Sequence, residues 1–135
     1  MRYTVLIDGR KGAYGVVVPD LPGCTAMGRT VEEALANAVS AMRDWTKVTE
    51  EAGGIVPAPR DPESIGVDAE IRAALAGGAM LASAPLVRES GRPAKANLSL
   101  DSGILAAIDA EASRQKLTRS AFVEFMARRV LAELA

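Results

Sequence analysis

At 135 residues with a hydrophobic share of 49%, the chain has the usual size of a domain and ample material for a core, so a disordered chain is excluded. Sixteen basic against seventeen acidic residues leave a formal net charge of −1, so total charge implies neither a nucleic-acid coat nor a membrane-surface binder. With no histidine and a single cysteine, Cys24, the chain cannot run Ser-His-Asp or Cys-His catalysis, ligate zinc through histidine, switch on histidine protonation or close an intramolecular disulfide. Met1-Arg2-Tyr3-Thr4 lacks the layout of a signal peptide, and the longest uncharged stretch, residues 73–87, is shorter than the roughly 18 apolar residues of a membrane span. A soluble, cytoplasmic protein without a membrane partner is expected.

Tyr3, Val5 and Ile7 alternate with Arg2, Thr4 and Asp8, which predicts a half-buried strand over 2–8 with Leu6 on its second face. Gly9-Arg10-Lys11-Gly12 reads as a turn, and 13–18, rich in valine, as the partner strand of a hairpin. Pro19 to Gly23 breaks the chain before a short third strand at 24–27. Thr30 followed by Glu33 forms a capping box ahead of an apolar stripe through Val31, Ala34, Leu35, Ala38, Val39, Met42, Trp45 and Val48, which predicts a helix over about 31–52 lying on the sheet. Gly53-Gly54 stops it. Residues 55–66, with three prolines, read as a surface connection, 67–76 as a short helix and 79–87 as a last strand suited to a sheet edge by Pro85. The predicted class is α+β, with the order strand, strand, strand, helix, strand over residues 1–90.

Residues 91–135 follow a different pattern. Residues 61–91 hold two basic and five acidic groups, whereas 92–135 hold seven and five, so the tail alone is basic. Lys95, Asn97 and Ser99 alternate with Ala96, Leu98 and Leu100, a short strand with one polar and one apolar face. Asp101 or Ser102 can cap a helix that fades near Lys116, and a second helix begins at Thr118 with Phe122, Phe125, Met126, Val130 and Leu131 on more than one stripe. A unit of this size sits near the lower limit for independent folding, and its lone strand has no partner within the chain. Two copies pairing their strands as an antiparallel ribbon over four helices would satisfy both the backbone and the apolar excess, so a homodimer or a higher oligomer is expected.

The strand-helix-helix order, carried locally by Ala94-Lys95-Ala96-Asn97-Leu98-Ser99-Leu100 and Leu117-Thr118-Arg119-Ser120-Ala121-Phe122, resembles the ribbon-helix-helix modules that lay a dimer's two strands in the major groove of DNA. Pro19-Asp20-Leu21-Pro22-Gly23-Cys24, then Gly28, Thr30 and Glu32-Glu33-Ala34-Leu35 after a two-stranded opening, is similar to the HicB antitoxins of bacterial toxin–antitoxin operons. The resemblance implies an N-terminal domain with a degenerate ribonuclease-H-like sheet, residues 1–90, that silences a small HicA-type ribonuclease toxin. It also implies a C-terminal module, residues 91–135, that dimerises and represses the shared operon by binding operator DNA. The chain departs from the family pattern at Lys116, where glycine is common, and at Asp101-Ser102-Gly103, where proline is common.

The candidate DNA contacts are Lys95, Asn97 and Ser99 on the outer strand face and Thr118, Arg119 and Ser120 at the start of the second helix, with Leu98, Leu100, Phe122 and Met126 as the dimer core. Asparagine can present a bidentate amide to adenine, lysine can reach guanine or phosphate, and a helix start capped by Thr118 suits a phosphate. Two alternatives remain open: an interaction protein whose ribbon serves dimerisation alone, and a divergent hydrolase. Against the hydrolase, Asp8 and Asp20 are too few to hold two magnesium ions, and turn chemistry accounts for both. No catalytic residue, metal ligand or cofactor is expected, Trp45 is assigned to the core, and Cys24 has no neighbour that would activate it.

Overall fold

The computed structural model describes residues 1–134. The chain falls into two compact units, one formed by Met1–Arg88 with the chain end from Leu131, the other by Glu89–Val130.

In the first unit, β1 (Arg2–Arg10), β2 (Ala13–Val17), β3 (Thr25–Gly28) and β4 (Met80–Pro85) form one antiparallel sheet in the order β3-β2-β1-β4. The hairpin is tighter than expected. Arg10 pairs with Ala13, so β1 runs to Arg10 and only Lys11 and Gly12 turn, with Gly12 at φ +90. The third strand starts one residue late because the Pro19–Gly23 loop folds back on itself, Val18 N–H donating to Cys24 O and Cys24 N–H to Leu21 O. Helix α1 (Val31–Glu51) starts where Glu33 N–H donates to Thr30 Oγ1 at 3.0 Å, and the Glu33 carboxylate accepts from Arg29 N–H, one residue ahead of the cap. It lies on the face of the sheet that carries Tyr3, Val5, Ile7, Val16 and Val18, and buries Ala34, Ala38, Val39 and Met42 there. Its stripe ends earlier than the sequence suggests: Val48 is 64% exposed.

The connection read over 55–66 is partly helical. Asp61 accepts from Ser64 N–H, and Pro62 occupies the first turn of α2 (Pro62–Val67); Asp68 then caps α3 (Ala69–Ala76). These two short helices place Ile65 and Ile71 over Leu6, so the second sheet face is partly covered. The segment ahead of them is fastened to two buried side chains, Tyr3 and Asp20. Tyr3 Oη donates to Pro57 O at 2.5 Å, and Asp20, whose side chain is 4% exposed, accepts Arg60 N–H at 2.9 Å and Arg60 Nε at 2.5 Å. Asp20 is therefore an anchor for the proline-rich segment, a role that turn chemistry did not suggest.

Close approach of β3 to α1 depends on Gly28: a β-carbon there would lie 2.3 Å from Ala34 N and 2.7 Å from Ala34 Cα. Because both obstacles are backbone, Gly28→Ala should cost about 3 kcal/mol, read as a lower midpoint in denaturant unfolding.

In the second unit, α4 (Ser102–Arg114) is capped by Asp101, which accepts from Gly103 and Ile104 N–H, and α5 (Arg119–Glu133), whose residues up to Val130 belong to this unit, follows after a short turn. Leu117 N–H donates to Ala112 O and Lys116 N–H to Ser113 O, the paired bonds of a Schellman ending. That ending puts Lys116 at φ +57, in the left-handed region that glycine adopts without strain, so the lysine that stands here carries a cost that glycine would not. Lys116→Gly should stabilise the helical hairpin by about 1 kcal/mol, visible as a raised thermal midpoint.

Candidate nucleic-acid interface

Residues 89–101 carry no helix or strand in the single chain. A strand exists only with a hydrogen-bonding partner, and one copy offers none. Lys95, Asn97 and Ser99 are exposed, and so are the apolar residues between them, Leu98 at 68% and Leu100 at 45%. Of the four residues expected in a dimer core, only Phe122 is buried within one chain; Met126 is half-buried. Phe122 stacks on Phe125 with ring centroids 6.1 Å apart, yet Phe125 is 42% exposed. Ile104 and Val130 are also about half exposed, at 57% and 49%. Within one chain, then, the apolar residues of the second helix are covered only in part.

The start of α5 has the expected cap. Ala121 N–H donates to Thr118 Oγ1 at 3.1 Å, while the amides of Arg119 and Ser120 meet no acceptor among the described residues. One feature here escaped sequence reading. Arg119 is already paired: its Nε and one Nη each lie 2.8 Å from a carboxylate oxygen of Asp109, a half-buried residue ten positions earlier on α4. The guanidinium holds the Asp109 carboxyl below its ordinary range. No local periodicity signals this contact, because the turn between the helices creates it.

The basic excess of the tail is similarly tempered. Arg114 pairs with Glu111, lowering that carboxyl to about 2, and Arg128 pairs with Glu89 and Glu124. Lys95 has no ion pair among the described residues. It is the one cation of the outer strand face, alongside the neutral donors and acceptors of Asn97 and Ser99, a combination that suits base edges and phosphate together.

The other sequence candidates lie in the first unit. Asp8 is exposed near the end of β1, and Asp20 is engaged by Arg60. Among the described residues no group of three or more acidic or cysteine side chains could hold a metal ion. Cys24 is buried, and burial pushes its thiol pKa up, which disfavours the thiolate. Trp45 is half-buried against the core and donates its indole N–H to Pro22 O at 2.9 Å, so it fastens the Pro19–Cys24 loop to α1. No helix among the described residues is long and apolar enough to cross a membrane.

A family model described as the HicB-like antitoxin of bacterial toxin–antitoxin systems matches residues 3–127. The chain belongs to that family. This HicB-like chain is 27% identical to the antitoxin HicB of Burkholderia pseudomallei, whose crystal structure it matches over 97% of its own length and 98% of that chain with a TM-score of 0.53. A HicA3–HicB3 toxin–antitoxin complex contains a chain of the same fold, 24% identical, with a TM-score of 0.51 over 62% of the HicB-like chain and 94% of the other. A 46-residue stretch, 33% of the HicB-like chain, is 48% identical to 67% of the UPF0150 protein Ta0767 of Thermoplasma acidophilum.

Proposed function

We propose that this HicB-like chain is a non-enzymatic antitoxin of the bacterial cytoplasm, that its first unit binds and inhibits a HicA-type mRNA-cleaving toxin, and that its C-terminal module dimerises to repress its own operon. The observation that carries the DNA-binding half is the outward run 95–100, polar and apolar by turns, which one chain leaves without a hydrogen-bonding partner while Leu98 and Leu100 stand in water. Pairing with a second copy would bury the leucines and leave two sets of Lys95, Asn97 and Ser99 facing outward, which fits a major groove. The toxin-binding half draws on family membership and on the HicA3–HicB3 complex.

Co-expression tests the first half. The product of a short neighbouring reading frame for a basic protein should co-purify with the chain, and its degradation of mRNA should stop when the two are mixed. For the second half, Asn97→Ala should lower discrimination between promoter DNA and random duplex by about 1–3 kcal/mol per contact while leaving the protein dimeric. Gel-shift affinities on both duplexes check this, and unchanged preference would assign Asn97 to a solvated face.

A further inference from the structure

The proposed DNA-binding surface contains a carboxylate placed where DNA would be expected to repel it. Asp109 engages Arg119 through Nε and Nη, the edge of the guanidinium that a phosphate takes when it binds with two hydrogen bonds. The free amides of Arg119 and Ser120 lie at the same helix start. We propose that Asp109 restrains DNA binding by holding Arg119, so that a backbone phosphate must displace the carboxylate to reach the guanidinium. This inference rests on the DNA-binding reading above.

Exposure decides whether such an exchange can occur. A buried pair would be locked, because separating it strands a charge. Here the two side chains are 59% and 42% exposed, and pairs of that kind are weak enough to be traded for a phosphate while still competing with it. The carboxylate also occupies the guanidinium in the absence of DNA, which lowers affinity for any duplex and leaves base contacts to decide where the dimer settles.

The test is a set of four full-length proteins, wild type, Asp109→Asn, Arg119→Ala and the double variant, titrated by fluorescence anisotropy. The probes are a duplex of the DNA upstream of the protein's own coding sequence and a random duplex of equal length. Asp109→Asn should bind about two- to twenty-fold tighter to both duplexes, since each of two subunits loses one competing pair. Arg119→Ala should bind more weakly, and the double variant should match Arg119→Ala. Asp109→Ala should repeat the result, and in the wild type the Arg119 Nε–H resonance should move when duplex is added. Equal tightening with and without Arg119 would mean that Asp109 acts only through the general field, and an unmoved resonance or no tightening would equally overturn the proposal. If wild type shows no preference for the upstream duplex and no measurable affinity for either, the DNA-binding reading itself fails and takes the proposal with it.

Discussion

Replacing Leu98 and Leu100 together by aspartate should turn the protein into a monomer in sedimentation and reduce its affinity for promoter DNA by about 10³-fold or more, to the level of non-specific contact. Both leucines face water in one chain, so the substitution removes nothing from the intrachain core and should leave the melting of the first unit unchanged. In a paired ribbon the same positions would lie over the helices, where burying a leucine contributes about 1.5–3 kcal/mol and burying an unpaired carboxylate costs more than that. Four aspartates per dimer would therefore abolish pairing. A variant that becomes monomeric yet still binds promoter DNA would separate dimerisation from DNA reading, and a variant that stays dimeric would place the interface elsewhere.

Asp20→Ala should destabilise the first unit by about 3 kcal/mol, read as a drop in thermal midpoint of about 10 °C or more. The Asp20 carboxylate is nearly enclosed and accepts both the backbone and the side chain of Arg60, which in turn reaches Asp68 at 2.8 Å. Losing it frees the proline-rich segment and leaves the Arg60 amide without an acceptor. Asp20→Asn, which keeps one acceptor but no charge, should cost about half as much. The same linkage has a pH signature. The Arg60 guanidinium beside Asp68 holds that carboxyl below its ordinary range, so the folded chain binds this proton less readily than the unfolded one. Its contribution is complete above the unfolded carboxylate value of about 4 and disappears as pH falls through the lowered folded value. Urea titrations should show Asp68→Asn less stable than wild type at pH 7, with the gap closing in acid.

Strand alternation in Tyr3-Val5-Ile7 and the Thr30–Glu33 cap before a regular stripe located β1 and α1 closely, because both patterns are local and each points one face at the core. Pro62 misled in the opposite sense: proline in a turn-rich segment suggests a loop, yet after a capping aspartate it opens a helix whose Ile65 covers Leu6. Val48 lay on the right stripe, but α1 outruns the sheet beneath it, and helix periodicity carries no information about where the partner ends. At the candidate site, the cap at Thr118 was legible from residue types, whereas the alternation of Lys95 to Leu100 has no counterpart within one chain, where all six residues are exposed. The Asp20–Arg60 and Asp109–Arg119 pairs were not legible, since each joins residues that only tertiary folding brings together.

The central claim is that residues 95–100 of two copies pair as a ribbon, and amide hydrogen exchange on the intact chain reads it most directly. In one chain these residues are exposed and belong to no strand. Pairing predicts strong protection of alternate amides between Lys95 and Leu100, lost on dilution or in the Leu98→Asp/Leu100→Asp variant. Exchange of every one of them at the rate of an unstructured peptide, at concentrations where promoter DNA is bound, would contradict it.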